Sequence, residues 1–184
     1  VSISDMERCW AIEHSKSDIN TVYVGTNGGL WRTEDGGNSW TEVYSGSGIT
    51  DVISFSNGNV MLADRGLGIY FSTSGDAGTY SQLTHVGFPG SFNRVEIAEY
   101  QGDEDVVYSA FELTGSTGGA AGVFKSTNRG TTWTTLTTPS IGATFNTYCF
   151  VLGVSPDDED RVMCAGQSIR TSIDGASSWR SNSG

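Results

Sequence analysis

The chain has 184 residues, 10 Lys+Arg against 21 Asp+Glu, and a formal net charge of −11. That is the length of one domain or of part of a larger one, and so acidic a chain is a poor partner for a phosphate backbone, so nucleic acid is excluded as a ligand. It has no run of ~18 apolar residues to insert in a membrane, and its 11% aromatic content is too high for a disordered chain.

From the N-terminus, short runs rich in β-branched and aromatic residues alternate with Gly, Asn, Asp and Ser. The first unit reads as strands 9–13, 21–25, 29–33 and 39–44. The second reads as 49–55, 60–63, 68–72 and 79–83, and the third as 94–99, 106–111, 122–126 and 132–137. The fourth reads as 148–154, 161–165, 168–172 and 177–180. No amphipathic helix pattern of useful length interrupts them. The expected fold is all-β, sixteen strands in four antiparallel sheets, with units at about 1–45, 46–85, 86–138 and 139–184.

A repeat marks the third-to-fourth strand connection of each unit. It runs Thr33-Glu-Asp35-Gly-Gly37-Asn-Ser-Trp40, Ser126-Thr-Asn128-Arg-Gly130-Thr-Thr-Trp133 and Ser172-Ile-Asp174-Gly-Ala176-Ser-Ser-Trp179. A degenerate copy, Ser74-Gly-Asp76-Ala-Gly78-Thr-Tyr80, reads as one residue shorter. The aromatic anchors fall 40, 53 and 46 residues apart, the period of a propeller blade. Asp or Asn accepts backbone N–H bonds within the turn, Gly permits φ > 0, the hydroxyl adds a local bond and the aromatic covers the turn. These positions are expected to be structural.

The segments resemble Asp-box repeats, also called bacterial neuraminidase repeats. The phrases Val22–Trp40 and Gly122–Trp133 are most similar to a branch with sortilin-type receptor propellers, xyloglucan-degrading endoglucanases and photosystem assembly factors. The resemblance implies a β-propeller and leaves the activity open, because such proteins share blades and differ in function. Asn128 in place of Asp and Ala176 in place of Gly depart from the repeat. Propellers of this kind have more than four blades. The chain, which opens on Val1, therefore reads as a piece of a longer protein or as a small propeller, with further blades from a longer chain or a second copy.

In a propeller the first-to-second (A–B) and third-to-fourth (C–D) strand turns share one end. The A–B turns are acidic: Asp18, Asp103-Glu104-Asp105 and Asp157-Asp158-Glu159-Asp160. They read as a solvated rim, with cation binding as the alternative. The other end carries the variable D–A and B–C loops, where a rigid scaffold commonly places specificity. The expected ligand face there comprises Asp64, Arg65, His85, Phe88, Phe92, Asn93, Phe145 and Asn146, aromatics beside amides and one cation. The alternative is that Phe88, Phe92 and Phe145 plug gaps between blades.

Asp64 and Glu112 are the only carboxylates that could be nominated as a glycosidase pair. A sialidase would need an arginine cluster, which is missing. Cys9, Cys149 and Cys164 have no metal-ligand spacing, so neither a metal nor a cofactor is expected. Cys149 and Cys164 fall on runs read as adjacent strands, which leaves a disulfide open. The reading is a non-catalytic binding or structural module, extracellular or at a cell surface, with a protein or glycan partner. The alternative is a xyloglucanase-like hydrolase fragment.

Overall fold

The computed structural model describes residues 8–115, 119–144 and 148–181. Its sixteen strands are β1 Cys9–His14, β2 Val22–Thr26, β3 Gly29–Thr33, β4 Thr41–Ser45, β5 Ile49–Ser54, β6 Val60–Asp64, β7 Gly68–Ser72, β8 Ser81–Gln82, β9 Val95–Tyr100, β10 Asp103–Glu112, β11 Ala120–Ser126, β12 Thr134–Leu136, β13 Val151–Val154, β14 Val162–Ala165, β15 Ile169–Ser172 and β16 Arg180–Ser181. Consecutive strands pair antiparallel, giving four sheets of four, β1–β4, β5–β8, β9–β12 and β13–β16. No helix occurs among the described residues. The all-β, four-by-four architecture expected from the repeat is the architecture found.

The chain divides into two compact units, Val1–Leu83 and Thr84–Gly184, each holding two sheets. In the first, β1 and β2 pack on β5. Period-2 alternation turns Tyr23 and Leu30 of one sheet toward Val52, Val60 and Leu62 of the next, with Val43 and Ile49 completing the cluster. In the second, β9 and β10 pack on β13. There Tyr108, Ala110 and Val123 meet Leu152, Val162 and Cys164, with Ile141, Phe150 and Ala176 filling the ends.

Strand boundaries differ from the sequence reading in several places. The fourth strands begin at Thr41, Ser81, Thr134 and Arg180, two or three residues late. The N–H groups of Ser39, Thr132 and Ser178 bond to Asp or Asn side chains in the turn and so leave the ladder. Asp103–Asp105, read as a turn, belongs to β10, past an irregularity in its pairing with β9. Tyr148–Phe150 stays outside β13. Leu152, not Cys149, therefore lies opposite Cys164, and Cys9, Cys149 and Cys164 form no disulfide.

Candidate functional site

The repeat turns are built from local hydrogen bonds. In the first, Thr33 Oγ1 accepts from Gly37 N at 2.9 Å and donates to Asp35 Oδ1 at 2.8 Å. Asp35 then accepts from Ser39 N at 2.8 Å and Ser39 Oγ at 2.6 Å. The third turn repeats this, with Ser126 accepting from Gly130 N at 2.8 Å and Asn128 Oδ1 from Thr132 N at 2.8 Å. The fourth does so through Ser172 and Ala176 N at 2.9 Å, and Asp174 and Ser178 N at 2.9 Å. Asn128 therefore replaces Asp without loss of geometry, its amide donating to Thr132 Oγ1 at 2.9 Å.

Two successive residues in each of these turns adopt positive φ: Gly36-Gly37, Arg129-Gly130 and Gly175-Ala176. Arg129 and Ala176 are the non-glycine residues that do so among those described. The N–H of the first residue in each pair donates to the A–B turn of its own sheet, at Asn20 O, Asp105 O and Asp160 O. Ala176 tolerates φ 64° where Gly37 and Gly130 stand elsewhere, and its methyl is buried in the second unit's core. Trp133 is buried and packs edge-on to Phe88, while Trp40 and Trp179 are half-buried.

The degenerate copy has a different register from the one the sequence suggests. Its leading hydroxyl is Ser72, which accepts from Gly75 N at 2.8 Å and bonds Thr79 Oγ1 at 2.5 Å. Ser74 stands where Asp35 stands in the first turn, so the loop to Tyr80 is one residue longer than the others, not shorter. Gly75 and Gly78 take the positive φ, and Asp76 turns outward to Arg32.

Asp35 and Asp174 remain ionised to about 2. The Ser39 hydroxyl is the largest cause at Asp35 and the Ser178 hydroxyl at Asp174, each followed by further donors from its own turn.

The A–B connections are shaped by Asx hydrogen bonds, at turns in three sheets and at the start of β10 in the third. Asp18, Asn57, Asp103 and Asp158 each accept, through Oδ1, the N–H of the residue two further on, at 3.1, 3.1, 3.0 and 3.1 Å. Their neighbours are ion-paired. Arg129 Nε reaches Asp105 at 2.9 Å, and Lys125 Nζ lies 3.5 Å from Glu159 and 3.4 Å from Asp160. Among the described residues no cluster of three or more His, Cys, Asp or Glu side chains fits a metal ion.

The opposite end of the first unit holds Asp64 and Arg65. Asp64 is fully buried at the end of β6. Its carboxylate accepts from Tyr44 Oη at 3.1 Å, Ser47 N at 3.1 Å and Ser47 Oγ at 2.9 Å. It thus ties the D–A loop to the B–C turn. Tyr44 stacks at an angle on Tyr70 and edge-on to Tyr80, centroids 5.1 and 5.4 Å away. Burial and the neighbouring Tyr70 and Asp64 push its phenol pKa well above the usual range. Arg65 is exposed.

In the second unit His85, Phe88, Phe92 and Asn93 lie on one loop ahead of β9. Phe88 packs on Phe111 and Phe124, centroids 4.9 and 4.8 Å away, and on His85 at 5.5 Å. Phe92 sits edge-on to Phe111 at 4.9 Å. Asn93 donates from its backbone to Glu112 O and from its side chain to Leu113 O, at 3.1 and 3.2 Å. Glu112 is fully buried. Val86 at the loop tip is fully exposed, and Leu113, just after β10, is exposed as well. Phe145 and Asn146 lie outside the described residues. The structure thus joins His85, Phe88 and Phe92 in one aromatic cluster, and puts Asp64 and Glu112 in separate units.

Sequence reasoning missed a link between sheets. Arg32, just before Thr33, donates to Gly75 O at 3.1 Å and to Asp76 at 3.0 Å in the following sheet. Lys125, just before Ser126, reaches Glu159 and Asp160 in the same sense and lies 5.3 Å from the Tyr108 ring centroid. Tyr23 pairs with Arg32 and Tyr108 with Lys125 in the ladders, and Tyr108 Oη donates to Glu159 O at 3.0 Å. The available signal was a cation preceding the leading hydroxyl of the repeat with Tyr opposite it.

Compared with known families and curated proteins, the sequence matches none. Solved structures do share its fold. An ancestral GH74 enzyme superposes with a TM-score of 0.75 at 18% identity, over 96% of this chain and 24% of that one. The GH74 xyloglucanase from Xanthomonas campestris gives 0.65 at 17% identity, over 97% and 30%. YCF48 bound to D1 peptide gives 0.56 at 17% identity, over 89% and 50%. The chain therefore spans a quarter to a third of these GH74 structures and half of that YCF48 chain. All are β-propeller proteins, and at such identities the likeness is one of fold. The four sheets are propeller-type blades.

Proposed function

We propose that the chain is a non-catalytic binding module of Asp-box type, extracellular or at a cell surface, whose ligand is a protein segment or a glycan. The observation that carries this reading is the loop ahead of β9. Phe88 and Phe92 anchor it on the rings of Phe111, Phe124 and Trp133. Its tip presents Val86 and His85. A loop held rigid by its own sheet, with apolar groups turned outward, loses little entropy on binding. On this reading Phe88 and Phe92 position the surface, and the ligand meets His85 and Val86.

The hydrolase alternative needs Asp64 and Glu112 to touch substrate. Both are fully buried, and Asp64 is spent on Tyr44 and Ser47, which favours binding over catalysis. One neighbour is a complex with a peptide and another is a xyloglucanase, so they support each ligand class equally. Peptide and glycan arrays probed with the full chain and with Val86→Asp and His85→Ala test the proposal. A hit weakened about tenfold by either substitution, in a variant with an unchanged circular dichroism spectrum, is expected. Reducing-end release from xyloglucan, abolished by Asp64→Asn or Glu112→Gln in a folded variant, would establish the hydrolase instead.

A further inference from the structure

Each unit stacks two sheets in the same sense, so every sheet has a presenting face and a receiving face. The presenting face packs on the following sheet and carries Tyr23, Leu30 and Arg32 in the first sheet, and Tyr108, Val123 and Lys125 in the third. The receiving face takes the preceding sheet and carries Val52, Leu62 and Tyr70 in the second sheet, and Leu152 and Cys164 in the fourth. Cross-strand partners share a face, so the ladders fix the equivalent positions elsewhere. On the fourth sheet the presenting positions are Met163, Ile169 and Thr171. On the first sheet the receiving positions are Ile12, Val24 and Trp31.

Exposure separates these two faces from their counterparts. Tyr23 and Tyr108 are 3% and 0% exposed, whereas Met163 is 38% exposed. Leu30 and Val123 are both at 0%, whereas Ile169 is at 48%. Val52 and Leu152 are at 5% and 8%, whereas Ile12 is at 75%. Val151, level with Ile169 on the presenting side, is exposed too. Ile12, Val24, Trp31, Val151, Met163, Ile169 and Thr171 carry no charge, and the ladders add one charge to each face, Glu42 beside Trp31 and Arg180 beside Thr171, of opposite sign. Shallow concavities of about 310 Å³ beside Ile12 and about 300 Å³ beside Met163 mark the two surfaces.

We propose that a second copy of this chain covers them, the presenting face of the fourth sheet docking on the receiving face of the first sheet of another copy. What one face lacks the other supplies, and the resulting contact repeats the sheet-on-sheet packing already made inside each unit. Such a contact is heterologous: it joins different surfaces on the two partners, and it closes or propagates according to the rotation between copies. It does not depend on the ligand-binding reading.

Sedimentation and light scattering of the full chain from about 1 to 100 µM test this, with Ile12→Lys and Met163→Lys as variants. Both positions are exposed in the isolated chain, and circular dichroism checks that each variant folds. The parent is expected to associate, at multiples of the 19.6 kDa chain mass. Each single variant is expected to weaken association about 100-fold, because docking would bury an unpaired ammonium. Mixing the two variants restores one contact, since each keeps the face that the other has lost, and gives a pair containing one copy of each. A parent that stays monomeric throughout overturns the proposal. So does a contact disrupted by only one of the two substitutions, or a mixture that fails to pair.

Discussion

At the scale of single residues, the repeat turns tie backbone geometry to charge. Asp35 and Asp174 use both carboxylate oxygens as acceptors within five-residue stretches, and this holds their pKa at about 2 against an ordinary 3.8. A group whose pKa is depressed by folding adds stability above its unfolded pKa and loses it as pH falls through the folded value. These turns therefore support the fold fully at neutral pH and give up that support between about 4 and about 2. Asn128 shows that an amide keeps the geometry without titrating. The double variant Asp35→Asn, Asp174→Asn is expected to be less stable than the parent at pH 7 and to lose less on going from pH 4 to pH 2. Urea midpoints across that range check the slope, and carboxyl NMR titrations check the cause. Midpoints near 4 for both residues would remove the charge from the explanation.

At the scale of elements, legibility followed the range of the interaction. The repeat turns could be read because hydroxyl, Asx and Gly act within five residues of one another. The degenerate copy misled because its hydroxyl sits at the end of β7, two residues ahead of the Ser-x-Asp spacing that imitates the repeat. Asp64 was recognisable as a B–C residue, but its burial depends on Ser47 and Tyr44, which are 17 and 20 residues away. The aromatic loop ahead of β9 was visible as composition. Its anchoring was not, since that depends on Phe111 and Phe124 becoming neighbours in the β10–β11 ladder. The links from Arg32 and Lys125 were equally hidden, because they join one sheet to a turn of the next. They support the stacking on which the two faces were defined. Lys125 is mostly buried against half-exposed carboxylates, so screening limits its value. Lys125→Met is expected to cost about 0.5–1.5 kcal/mol, the sum of a screened ion pair and a cation–π contact. A double-mutant cycle with Asp160→Asn should show a coupling of about 0.5–1 kcal/mol that shrinks in 1 M salt. Zero coupling would assign the lysine's contribution to packing over Tyr108 alone.

At the scale of the whole molecule, charge and apolar surface act against each other. A chain of net charge −11 repels its own copies, and the proposed docking faces offset that repulsion with one opposite pair only: the ladders set Glu42 beside Trp31 on one face and Arg180 beside Thr171 on the other, while Ile12, Val24, Val151, Met163 and Ile169 are uncharged. Burial of apolar side chains has to supply most of the drive, at ~25 cal/mol for each Å² removed from water. Added salt shortens the screening length from about 30 Å at 0.01 M to about 3 Å at 1 M, which weakens the repulsion and leaves the apolar contact intact. Association is therefore expected to tighten as sodium chloride rises from 20 to 500 mM. This is opposite in sign to an encounter steered by complementary charge, which weakens with salt. The Lys125 link responds in the other direction, so one titration separates the two effects: the sedimentation coefficient should rise with salt while the Lys125–Asp160 coupling falls. A sedimentation coefficient that drops with salt would mean that charged groups, and not the apolar side chains of β1–β3 and β13–β15, hold the copies together.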